Sequence, residues 1–232
     1  MEKAVILAAG RGTRMGSLTQ ELPKPMLSLA GRPILEHVIE RLRSAGFSKF
    51  AVVVGYRHEV IEEHFAGQGI QFLLQENPNG TAKAALLARE FVGQDDFLLT
   101  FGDILAESSD YAAMAAQMEN DPSVVAVGAV RWCEDPYQGA AVYEQGGIVT
   151  SIIEKPPKGT SSTNWNSAGI YCCRSTVFEE LARVPLSVRG EYELTSAVEA
   201  VVASGRVRIH SLDGIWRDIG RPEDLAAAQA EI

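Results

Sequence analysis

Apolar residues in the first half of the chain come in short unbroken runs, and each of the first four runs gives way to a helical repeat. Ala4 to Ala9, Phe50 to Gly55, Ile70 to Gln75, Phe97 to Phe101 and Val124 to Val130 read as strands, because runs of this length bounded by turn residues suit buried strands better than helices. Residues 33 to 45 put Ile34, Leu35, Val38, Ile39 and Leu42 on one face, open at Pro33 and stop at Gly46. Pro at the start and Gly past the end is the asymmetry of a helix. Residues 58 to 65, 81 to 91 and 109 to 118 behave similarly. Strands apolar on both faces and alternating with helices predict an α/β fold, a doubly wound, mostly parallel sheet covered on both sides.

The second half changes character. Strand-like runs at 140 to 144, 148 to 153, 168 to 173 and 207 to 212 surround helical patterns at 175 to 182 and 193 to 203, an α+β C-terminal continuation. Gly146-Gly147 between two of these runs signals a hairpin, and residues 156 to 166 form a loop rich in Pro, Gly, Ser, Thr and Asn. No linker or internal repeat divides the 232 residues, so a single domain is expected.

Composition narrows the function classes. Thirty acidic against 21 basic side chains give a net charge of -9, which argues against nucleic acid or an anionic membrane as partner. The first 25 residues nevertheless carry Lys3, Arg11, Arg14 and Lys24 against only Glu2 and Glu21, so an anionic ligand would be held there. No apolar run approaches the ~18 residues of a membrane span or forms a signal-peptide core, and a cytoplasmic location is expected. Cys133, Cys172 and Cys173 form no metal or disulfide pattern, and His37, His58, His64 and His210 lack metal-ligand spacing.

The chemistry concentrates after the first strand, where Gly10-Arg11-Gly12-Thr13-Arg14-Met15-Gly16 opens a connection of about twenty residues, far above the usual ~2 to 6. Gly10 and Gly12 allow backbone N–H groups to face a polyphosphate, and Arg14 adds a planar fork of donors. Met15 occupies the third glycine position of GxGxxG, and the second strand leads into Gly55-Tyr56-Arg57 rather than ending at an acidic residue. A dinucleotide fingerprint is thereby excluded, and a GxxxxGK[ST] loop is absent.

Leu7-Ala8-Ala9-Gly10-Arg11-Gly12-Thr13-Arg14 followed by Pro23-Lys24-Pro25-Met26 resembles the signature of the sugar-1-phosphate nucleotidyltransferases, or NDP-sugar pyrophosphorylases, and in particular the glucose-1-phosphate thymidylyl- and uridylyltransferases. Gly16-Ser17 departs from it where many relatives carry Arg-Pro. The resemblance implies a Rossmann-like nucleotidyltransferase fold, with approximately 1–130 as a nucleotide-binding part and 131–232 as a sugar-phosphate-binding part. Arg14, Lys24 and Asp103 become the catalytic candidates, with Lys24 at the α-phosphate and Arg14 at the departing pyrophosphate. Leu7, Ala9, Gly10, Gly12, Thr13, Arg14, Gln75, Gly80 and Thr81 are the nucleotide-binding candidates. The Gln75 amide can pair with an edge of uracil or thymine, and Gly80 lets the backbone approach the base.

Asp103, at the end of the strand Phe97 to Phe101, matches the family's magnesium ligand, and Asp218 in Trp216-Arg217-Asp218-Ile219-Gly220 its second. Mg2+ is the implied cofactor. Glu154-Lys155-Pro156, Asn166 to Tyr171 and Glu191 to Thr195 match sugar-side segments, which makes Gly139, Glu154, Lys155, Asn166 and Glu191 the candidates for binding the sugar phosphate. Ser196 stands where an aspartate is common. The resemblance leaves little room for an additional acyltransferase domain. The expected partners are a nucleoside triphosphate, with UTP or dTTP favoured, and a sugar 1-phosphate; a homo-oligomer stays open. Two alternatives remain: a guanylyl- or cytidylyltransferase of the same fold acting on a heptose, mannose or choline phosphate, and a non-catalytic regulatory subunit that binds nucleotide sugar.

Overall fold

The computed structural model describes residues 1–231. Its elements follow the hydrophobic pattern closely in the first half: β1 (Lys3–Leu7), the two-residue strands β2 (Ser28–Leu29) and β3 (Arg32–Pro33), α1 (Ile34–Ser44), β4 (Lys49–Val54), α2 (His58–His64), β5 (Ile70–Leu74), α3 (Thr81–Leu86), α4 (Arg89–Val92), β6 (Phe97–Phe101), β7 (Ile104–Ala106) and α5 (Ser108–Asn120). The second half contributes β8 (Ala126–Trp132), β9 (Ala140–Gln145), β10 (Ile148–Glu154), β11 (Trp165–Cys173), α6 (Val177–Arg183), α7 (Leu194–Val202), β12 (Val207–Ser211), β13 (Trp216–Asp218) and α8 (Pro222–Gln229). The helix predicted over 81 to 91 is thus two helices, and β7, β13 and α8 carry no periodic signal of their own.

Nine strands form one sheet in the order β5-β4-β1-β6-β11-β8-β12-β10-β9. Its first four strands are parallel, as the βα alternation predicts. Beyond β6 the sheet is mixed rather than mostly parallel: β11 runs antiparallel to both β6 and β8, and β9 and β10 form an antiparallel hairpin. For β9 and β10 the cause is connection length. Gly146 and Gly147, both at positive φ, turn the chain within two residues, and so tight a turn can join only antiparallel neighbours.

Alternation along β1 divides the core. Ala4 and Ile6 point into the layer filled by α1, α2 and α5, whereas Val5 and Leu7 point into the layer of α3, α6 and α7. In the second layer Phe97 stacks on Phe178, their ring centroids 5.1 Å apart. Burial on both faces fixes the register of these strands, since a one-residue slip would exchange the two layers. The carboxyl ends of β1, β4, β5 and β6 are therefore aligned, and this edge is where ligands of doubly wound sheets bind.

Candidate functional site

Beyond β1 the chain packs down in 3-10 turns over Thr13–Thr19 and Lys24–Met26. Met15, the residue that breaks the dinucleotide fingerprint, is only 1% exposed and anchors the loop in the core. Gly12 has φ 65°, and a Cβ placed there would stand 2.8 Å from the Cβ of Lys24. The Thr19 hydroxyl donates to the Gly12 carbonyl at 3.0 Å. Glycine at position 12 thus lets the lysine stem lie against the phosphate loop. Its ammonium is ion-paired with Asp103, the two side chains only 13% and 16% exposed.

Asp103 and Asp218 are brought together by a strand pair that has no sequence signal. β13 runs antiparallel to β7, with Asp218 opposite Ile104, and the Ile219 amide donates to the Asp103 carbonyl at 3.0 Å. Asp218 lines the cleft and keeps solvent access there. Loss of hydration and the facing Asp103 carboxylate push its pKa up to about 6, against the opposing pull of Lys24 and Arg14. The chain is bare at Gly220, where a Cβ would lie 3.6 Å from an Asp218 oxygen and 3.7 Å from an Arg14 guanidinium nitrogen.

Two cavities open from this centre. One of about 340 Å³ is lined by Leu7, Ala9, Gly10, Gly12, Thr13, Lys24, Gln75 and Gly80, together with Arg14, Thr81, Asp103 and Glu191. A second, of about 440 Å³, is lined by Gly139, Glu154, Lys155, Asn166 and Asp218, and it shares Arg14, Thr81, Asp103 and Glu191 with the first. Every candidate named from the sequence lines one cavity or both.

On the first side, the Gln75 amide nitrogen donates to the Gly80 carbonyl at 3.2 Å, which leaves the amide oxygen to accept a proton from a ligand. Gly80 is demanded by something the sequence did not reveal. At φ 129° it faces the backbone of Tyr192, and any Cβ there would collide with that backbone. It is a neighbouring loop that makes the close approach at this glycine.

On the second side, the amide oxygen of Asn166 occupies the space a Gly139 Cβ would need, and it is buried with no hydrogen-bond partner. A buried acceptor left unpaired is costly unless a ligand satisfies it. Lys155 holds φ 43°, the left-handed region, and strain of this kind concentrates at binding sites. Glu154 accepts from the Thr195 hydroxyl at 3.1 Å and is ion-paired with Arg189 at 3.3 Å. Burial first, and then the Glu193 carboxylate, raise its pKa above the ordinary glutamate value in spite of Thr195, Lys155 and Arg189.

Two charged residues of this cavity were missed as site candidates. Glu193, 7% exposed, accepts from Ser187 at 2.8 Å and pairs with Arg189 at 3.5 Å. Its two-residue spacing from Glu191 was a usable signal. Arg189 lies in an aperiodic loop and offered none.

The family model for nucleotidyl transferases matches residues 3–232. The bifunctional protein GlmU of Methanococcus maripaludis strain C5 is 37% identical over 230 residues, 98% of this chain but 53% of GlmU; the chain thus spans about half the length of the curated GlmU relatives it matches. The UTP--glucose-1-phosphate uridylyltransferase AglF of Haloferax volcanii is 35% identical over 237 residues, covering 99% of this chain and 96% of AglF. Among solved structures, a Bacillus anthracis protein assigned as a glucose-1-phosphate thymidylyltransferase and crystallised with sucrose superposes with a TM-score of 0.87 at 25% identity, over 100% of this chain and 95% of that one. A UDP-glucose pyrophosphorylase holding UDP-glucose shares the fold at TM-score 0.89 and 20% identity, over 100% and 98%. With the family's pattern running from residue 3 to residue 232 and a relative of nearly equal length aligned across it, this chain belongs to the nucleotidyl transferase family.

Proposed function

We propose that this protein transfers a nucleotidyl group from UTP or dTTP to a sugar 1-phosphate of the glucose-1-phosphate class, forming a nucleoside-diphosphate sugar and pyrophosphate. The observation that carries the reading is that two cavities, one lined by the phosphate loop and the other by Glu154, Lys155 and Asn166, meet at Arg14 and Asp103. Two phosphorylated substrates in these cavities would bring their phosphates to one point. The names of AglF and of the Bacillus anthracis structure support the choice of substrate class. On this reading residues 1–130 form most of the nucleotide side and 131–232 most of the sugar side.

The donor set fits magnesium. Asp103, just before β7, and Asp218, at the end of β13, present facing carboxylates; loss of hydration and then the Asp103 charge raise the Asp218 pKa, and a divalent cation would neutralise that paired negative charge. Mg2+ is commonly held by one or two carboxylates, with substrate phosphates and water completing its shell. When bound there, it would offset the negative charge of the two reacting phosphates and help align them.

The protein's own groups account for the rest. A sugar phosphate oxygen is already anionic at neutral pH, so no general base is needed, and alignment with charge neutralisation carries the reaction. That oxygen bonds to the α-phosphorus. The bond from the α-phosphorus to the bridging oxygen breaks, and pyrophosphate leaves with the electron pair. Lys24 bears on charge growing at the α-phosphate, and Arg14 meets the departing pyrophosphate. Asn166 and Glu154 take sugar hydroxyls, Lys155 the sugar's phosphate, and the Gln75 amide oxygen accepts the N3–H of the pyrimidine.

Pyrophosphate release from UTP, dTTP, CTP, GTP and ATP, each paired with glucose, N-acetylglucosamine and mannose 1-phosphates, tests this reading. Preference for GTP or CTP by about tenfold over both UTP and dTTP, about 1.4 kcal/mol, would move the assignment to another nucleotidyltransferase. Nucleotide-sugar binding without release from any pair would make the protein a regulatory subunit.

A further inference from the structure

Four contacts join the nucleotide-side segment at residues 79 to 83 to the segment Glu191–Thr195. The Tyr192 amide donates to the Asn79 carbonyl at 3.0 Å, and the Ala82 amide donates to the Tyr192 carbonyl at 2.9 Å. The Leu194 amide donates to the Thr81 hydroxyl oxygen at 2.9 Å. The Lys83 ammonium sits 4.6 Å from the centre of the Tyr192 ring. Gly80 permits this approach, since a side chain there would strike the Tyr192 backbone.

The Thr81 contact has a particular consequence. Leu194 is the first residue of α7 and is buried, and the residue before it, Glu193, makes no side-chain cap. An amide at a helix start has no partner within its own helix, so the Thr81 oxygen satisfies a donor that would otherwise be stranded. The next residue, Thr195, donates to Glu154 at 3.1 Å, and Glu193 on the other side holds Ser187 and Arg189. Thr81, matched from the sequence to nucleotide binding, thereby ties the start of α7 to the turn on the nucleotide side.

We propose that Thr81 is a positioning residue for the sugar-phosphate subsite, acting through Leu194 and Thr195 on Glu154. The proposal rests on the reading of the two cavities given above. Thr81 lines both cavities, and its hydroxyl oxygen serves the sugar side of the reaction.

The test compares wild type, Thr81→Val and Thr81→Ser with the best pair from the panel above, and follows amide exchange at Leu194 by NMR. Thr81→Val removes the acceptor at nearly constant volume. It should raise the KM for the sugar phosphate about fivefold or more, raise the KM for the triphosphate by a clearly smaller factor, and speed exchange at Leu194. Thr81→Ser should restore all three values towards wild type. A rise confined to the triphosphate KM, equal rises in both, or no change in either would overturn the proposal. If Thr81→Val does not fold, Thr81→Ser decides: a sugar-phosphate KM raised as far as expected for valine, with Leu194 still protected, would overturn it, and wild-type values would uphold it. A wild type that turns over no pair defeats the functional reading and this proposal with it, whereas an active wild type indifferent to position 81 defeats the proposal alone.

Discussion

The ammonium of Lys24 rests on the carboxylate of Asp103, joining the loop after the first strand to the end of β6 in a largely enclosed ion pair. Neither group stands free in the protein without substrate. On the reading proposed above, Asp103 would exchange its lysine partner for a cation and Lys24 would turn to phosphate.

Asp103→Asn should therefore abolish turnover while the protein stays folded, because on the proposed reading the change removes a charge that would hold the metal, without altering core volume. Chelation of divalent cations should do the same to wild type, reversibly on adding Mg2+. Steady-state rates together with a thermal melt check both. Activity within about tenfold of wild type, a loss of only ~1.4 kcal/mol, would take Asp103 out of the mechanism.

For Lys24→Ala the expectation is a fall in kcat much larger than the rise in the KM for triphosphate, since the proposed role of the lysine is to meet charge that grows during transfer. An unchanged kcat with a raised KM would instead make Lys24 a clamp on the ground-state phosphate.

Gln75→Leu should erode discrimination among bases more than it slows the phosphate chemistry. In wild type the amide nitrogen is held by the Gly80 carbonyl, and the remaining oxygen can accept N3–H from uracil or thymine but meets only another acceptor in cytosine. A site that leaves buried polar groups unpaired against the wrong base can reject it by several kcal/mol. Ratios of kcat/KM for UTP and CTP measure the effect, and an identical ratio in the variant would disprove the role of Gln75.

Glu154 links function to stability through its raised pKa. The folded protein holds this proton to a higher pH than the unfolded chain does. Folding is thus favoured fully below the ordinary glutamate value near ~4.3, and that advantage is lost as pH rises through the raised value. Above it, ionised Glu154 costs stability. Glu154→Gln should match or exceed wild type in thermal stability at pH 7 to 8, with its advantage shrinking towards about pH 4, while the KM for the sugar phosphate rises. Destabilisation by the same amount across that whole range would show that Glu154 is held for structural reasons instead.

Periodicity and turn chemistry were enough to place most strands and helices, because they report local constraints: burial on both faces of β1, Pro33 and Gly46 at the ends of α1, and Gly146-Gly147 between β9 and β10. The long glycine- and arginine-bearing loop was equally legible as a phosphate site, since its charge and backbone freedom belong to adjacent residues. Only the tertiary structure decided what those residues meet. Asp103 and Asp218 face each other through β7 and β13, three-residue strands too short to show any period. Gly80 is a glycine because the Tyr192 backbone lies against it, and Gly139 because the Asn166 amide does. Arg189 and Glu193 join the sugar-side cavity through ion pairs to Glu154 and to each other. A chain's pattern encodes which face of each element is buried, whereas contacts between distant segments depend on how those buried faces pack, and that packing sets which polar groups share a cleft.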